Sequence, residues 1–83
     1  MMIPTVHLNG TGARNLLEEL EAAYAAVGTA IDALRQVTVH GRDYYVQGPH
    51  AYGQARTEMD ARLDALRVVQ DELLAMHIAV QGQ

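Results

Sequence analysis

Residues Tyr52 to Val80 read "YGQARTEMDARLDALRVVQDELLAMHIAV". Tyr52, Met59, Leu66, Leu73 and Val80 recur at intervals of seven, and Ala55, Val69 and Met76 fill most of a second seam. Leu63 and Leu74 widen the stripe. Side chains at these spacings share one side of a 3.6-residue turn, so the stretch reads as a helix with one apolar face. Gly48-Pro49 opens it, with Pro49 expected near the first turn, where a missing N–H costs nothing. The helix is predicted over 50–80, and Gly53 is expected to loosen its start until about Ala55. Arg62 stands where the seam wants an apolar residue. A charge there costs stability and fixes register, or else holds an anion inside a bundle.

A second stripe lies upstream. Leu16, Leu17, Leu20, Ala23, Tyr24, Val27, Ala30, Ile31 and Leu34 step by threes and fours, which predicts a helix over 11–36. Thr11 is the expected N-cap. Glu18, Glu19 and Glu21 toward its start and Arg35 at its end suit the helix dipole. Gly28 marks a place where another helix can come close. Residues 37–49 break the pattern and read as a loop with little regular structure. Residues 1–10 read as an extended arm: Pro4 blocks a helix, Val6 and Leu8 alternate with Thr5 and His7, and Asn9-Gly10 signals a turn.

The expected fold is therefore all-α, an antiparallel two-helix hairpin with a short extended N-terminal segment. Each helix would be roughly 37 Å long. Both stripes are wider than a two-stranded seam needs. The surplus predicts burial against copies of the same chain, as a homo-oligomeric helical bundle or ring.

At 83 residues the chain allows one domain. It has no cysteine, which excludes disulfides and thiolate metal sites and fits a cytoplasmic protein. No stretch approaches a membrane span, and Met1 to Leu8 lacks the basic and apolar regions of a signal peptide. Net charge is −4, so binding to a nucleic-acid duplex is not expected. All six basic residues are Arg, each able to fork onto a phosphate or carboxylate. His7, His40, His50 and His77 lack metal-ligand spacing, and the chain contains neither Cys nor Ser to act as nucleophile. No metal, cofactor or enzymatic activity is predicted.

Two clusters are candidates for binding. The first gathers two Arg, three Tyr and two His into "HGRDYYVQGPHAYGQAR", His40 to Arg56. Arg42 and Arg56 offer forks for phosphate, Tyr44, Tyr45 or Tyr52 a face for a base, and Asp43 an acceptor for a hydroxyl or base N–H. His50 would join Tyr52 and Arg56, which share a helix face. The competing reading makes Arg42 and Asp43 loop braces and the Tyr rings a cap on the bundle end; two adjacent Tyr cannot point the same way, so one of them is expected to pack. The second cluster is His7, Asn9, Thr11 and Arg14 around a helix N-terminus, which attracts anions or is simply capped.

The pieces "HLNGT" (His7 to Thr11) and "GRDYY" (Gly41 to Tyr45), each followed by a helix, resemble a group of small phage and prophage proteins. The resemblance spans nearly the whole chain and carries over no catalytic residue. It implies a compact phage protein acting in the cytoplasm of the infected bacterial cell. Small helical phage proteins often block bacterial defence, by soaking up nucleotide-derived immune signals or by binding a defence protein. The leading expectation is a non-enzymatic anti-defence binding protein that sequesters a small nucleotide-derived signal. The alternative is a protein-interaction factor, either an inhibitor of a host defence protein or a phage assembly accessory.

Overall fold

The computed structural model describes residues 1–7 and 12–83. Among them are two α-helices, α1 (Ala13–Arg35) and α2 (Ala51–Gln81), and no strand. Two short 3₁₀ turns, Gly41–Asp43 and Tyr45–Gln47, lie between them. No helix of the described residues is long and apolar enough to cross a membrane.

The helices run antiparallel. Glu21 of α1 faces His77 of α2, with Oε1 and Nε2 3.0 Å apart. Further along α1, Gly28 faces Gln70. α1 has 23 residues and α2 has 31, about 34 Å against about 46 Å at 1.5 Å per residue. α1 ends at Arg35, which shares a groove with Arg67, so the first turns of α2 run on past it. The second 3₁₀ turn packs on α2, and the first packs on the second. Arg62 belongs to the overhanging turns of α2 and is exposed, so within one chain its charge stays in water.

The helix ends differ from the sequence expectation. α1 begins at Ala13 with Gly12 at the N-cap position, and the expected Thr11 cap lies outside the described residues. Its first turn also holds no acid, while Arg35 does sit in its last turn. α2 begins at Ala51 behind a His50 N-cap, so Pro49 lies before the helix, and Gly53 is helical. Partial burial of the flanking Ala51 and Ala55 outweighs the modest helix cost of one glycine. The segment expected to be a loop with little regular structure contains the two 3₁₀ turns. Gly48 follows them at φ 124°, a conformation that a Cβ would strain.

Only Leu20, Ile31 and Val80 are buried apolar residues among those described. The radius of gyration is 18.5 Å, where a compact chain of this length has about 12 Å. The accessible surface is 6265 Å², where a compact monomer of this mass exposes about 4,900 Å². One hairpin thus leaves most stripe residues only half-buried. Tyr24, Val69 and Leu74 of the stripes are exposed.

Two contacts have measurable consequences. A Cβ on Gly28 would stand 3.0 Å from Gln70 Nε2, the far end of a flexible side chain. Gln70 can swing away, so Gly28→Ala should raise stability by about 0.5–1 kcal/mol through helix propensity. Urea titration should show the midpoint rising with an unchanged slope. At the other end, the Gln83 amide donates through Nε2 to the Pro4 carbonyl at 2.7 Å and accepts from the Val6 N–H at 3.0 Å. One side chain therefore ties the backbone of Pro4 and Val6 to the C-terminal end of α2. Val80, one turn back, is only 2% exposed. Gln83→Ala should speed hydrogen exchange at the Val6 amide while amides in mid-α2 keep their protection. The global cost should stay within about 1–3 kcal/mol, since two bonds are lost and each nets about 0.5–1.5 kcal/mol.

Candidate functional site

The loop end owes its geometry to local hydrogen bonds. His40 caps the first 3₁₀ turn: its Nδ1 accepts the Arg42 N–H at 3.1 Å. The Asp43 and Tyr44 N–H groups donate to the carbonyls of His40 and Gly41 at 3.0 and 3.1 Å. The Gln47 N–H closes the second turn on the Tyr44 carbonyl at 2.9 Å. A chain wound this tightly throws successive side chains outward in different directions.

The result separates the two adjacent tyrosines. Tyr44 is half-buried, whereas Tyr45 is 75% exposed and Val46 beside it 74%. Tyr44 thus packs and Tyr45 presents its ring. Arg42, Asp43, His50 and Arg56 are exposed. On α2, the Arg56 guanidinium carbon sits 5.8 Å from the Tyr52 ring centroid, a cation–π contact between residues four apart. Arg42 and Tyr45 are open to solvent, while Arg56 and the 38%-exposed Tyr52 engage each other.

The second predicted cluster is elsewhere. Arg14 is in the first turn of α1, and His7 is on the arm pinned by Gln83. Within one chain the length of α1, about 34 Å, separates them from Arg42. Asn9 and Thr11 lie outside the described residues. The described candidates thus fall into two separate groups rather than one.

Two depressions, neither anticipated from the sequence, run along one face of the hairpin. The first is an apolar cavity of about 140 Å³ among Leu20, Tyr24, Leu73 and Leu74, with the Glu21–His77 pair at its wall. The second is a polar groove of about 470 Å³ bordered by Gly28, Asp32, Arg35, Arg67 and Asp71. Residue spacing on α2 does put His77 seven after Gln70 on the inward face, but only the antiparallel register sets it against Glu21. Among the described residues no three His, Asp or Glu side chains converge as a metal site would require.

Set beside protein-family models, curated proteins and solved structures, the chain matches none of them.

Proposed function

We propose that this chain is a non-enzymatic, homo-oligomeric binding protein that sequesters a small nucleotide-derived signal, in the manner of a phage anti-defence factor working in the infected cell's cytoplasm. The observation that carries the reading is the loop end. Backbone hydrogen bonds hold the turn, Tyr45 stands 75% exposed beside Arg42, and Arg56 is poised over the ring of Tyr52. Such a set costs side-chain order that a plain connector would not need. Arg forks supply phosphate contacts, an exposed ring supplies a stacking face, and Asp43 supplies an acceptor. His50 borders them at the helix start, and His7, Asn9, Thr11 and Arg14 are the sequence candidates for a second, anion-attracting contact.

A second reading is favoured by one observation. Val46 is 74% exposed next to Tyr45, and an apolar side chain there serves a protein contact better than a phosphate. In that reading the loop end inhibits a host defence protein or assists phage assembly. Native mass spectrometry after incubation with cyclic and ADP-ribose-type nucleotides separates the two. A sequestering protein retains one nucleotide at a fixed ratio to subunits. An interaction factor ignores the panel and instead retains a single host protein.

A further inference from the structure

α2 carries a second stripe on the flank that borders both depressions. Arg56, Asp60, Leu63, Arg67, Asp71, Leu74 and Ile78 follow one another at steps of three and four. Leu63 is half-buried; the charged members are exposed, as are Leu74 and Ile78, the latter 59%. The charges do not repeat symmetrically. Reading along α2 they run positive at 56, negative at 60, positive at 67 and negative at 71, with the apolar Leu63 between.

That order is complementary to itself reversed. When two copies of α2 lie antiparallel with a two-fold axis between residues 63 and 64, Arg56 meets Asp71 of the partner subunit and Asp60 meets Arg67 of the partner subunit. The two-fold repeats each pair. Opposite charges at such positions attract, and like charges repel by similar amounts. The register is also selective. A slip of three residues one way sets Asp60 against Asp64, and a slip of four the other way sets Asp60 against Asp71 while setting Asp64 against Arg67, so neither slip gains the two attractive pairs without a repulsive one. Among the described residues Arg67 pairs with Asp64 at 3.2 Å, with 44% of the Arg67 side chain and 72% of the Asp64 side chain exposed. A pair so exposed is weak enough to rearrange.

We infer that a second copy of this chain docks antiparallel on this flank of α2, in the register that pairs Arg56 with Asp71 and Asp60 with Arg67. The apolar surface agrees. The loop end carries exposed Tyr45 and Val46 close to the start of α2, and the same two-fold brings that level to Leu74 and Ile78 of the partner subunit. The apolar cavity of about 140 Å³ beside Leu74 lies there as well. The chain exposes 6265 Å², roughly 1,400 Å² more than a compact monomer of its mass, and a stable dimer needs about 800 Å² from each partner. The arrangement also carries the loop end of each copy toward the arm end of the other, though the docking itself does not depend on any ligand.

Charge reversal tests this without a ligand. Asp60→Arg and Arg67→Glu each set like charges opposite in a self-pair, while a mixture of the two variants restores opposite charges across the two-fold. Sedimentation at low salt should show each variant alone associating at least tenfold more weakly than the unmodified chain. Mixing them, or combining both changes in one chain, should recover association. Circular dichroism should show unchanged helicity, because all four positions are exposed. Undiminished association of both single variants overturns the register. So does failure of both the mixture and the double variant to recover, or a monomeric unmodified chain at micromolar concentration. Retention of a nucleotide by a monomer would overturn the docking and the homo-oligomeric part of the proposed function, and leave its nucleotide-binding part standing.

Discussion

Leu20→Asp should leave the chain without a cooperative folded state. Leu20 is one of three buried apolar residues among those described. Its neighbours one turn away on α1 are Leu16, Leu17, Ala23 and Tyr24, none of them a cation. Glu21 beside it already engages His77. A carboxylate at this position would lose its hydration with no partner, and a buried unpaired charge costs several kcal/mol on top of the lost leucine contacts. The smaller change Leu20→Ala should cost about 2–5 kcal/mol by cavity formation and lost transfer energy. Total stability for a domain of this size is about 4–12 kcal/mol, so the alanine variant should melt much earlier and the aspartate variant should not melt cooperatively at all. Circular dichroism against temperature is the check. An aspartate variant that keeps a cooperative transition within a few degrees of the parent would show that the α1–α2 seam is not what holds the chain together.

The second large effect concerns binding. Arg42→Ala and Tyr45→Ala should each weaken nucleotide binding about tenfold or more, while helicity stays near the parent value. Loss of a charge-assisted phosphate contact costs about 1.5–3 kcal/mol, and loss of one stacked base about 1–3 kcal/mol. Both side chains are exposed, so removing either opens no core cavity. Tyr44 behaves differently because it is half-buried: Tyr44→Ala should lower thermal stability first. The contrast between neighbouring tyrosines is itself a test, read by calorimetric titration beside thermal melts. If Tyr45→Ala and Arg42→Ala instead melt far earlier than the parent, the loop end is a structural cap and the binding role fails.

Much of the scaffold is legible in the residue order itself. Helix periodicity is a local property, and Leu16 to Leu34 and Tyr52 to Val80 display it through residues three, four and seven apart. Arg56 over Tyr52 is legible for the same reason, as a pair four apart on one helix. The opposed fates of Tyr44 and Tyr45 are half legible. Adjacency requires them to diverge, but which one packs depends on how the 3₁₀ turns wind against α2. The start of α1 at Ala13 is not legible to the residue, because helix boundaries shift by one or two positions with local context.

The chain's sequence alone therefore determined two amphipathic helices, their order, and a connection enriched in Arg and Tyr, because each follows from spacing within a few turns. Tertiary structure alone decided what faces what. The antiparallel register brought Glu21 to His77 and Gln70 to Gly28, across 56 and 42 residues of chain. The unequal helix lengths left the start of α2 without α1 beside it, and Gln83 caught the backbone of Pro4 and Val6. The same register sent Arg14 and Arg42 to opposite ends of the rod. Contacts between residues so distant in sequence depend on how one helix slides and rotates against the other, and no spacing along a single helix encodes that.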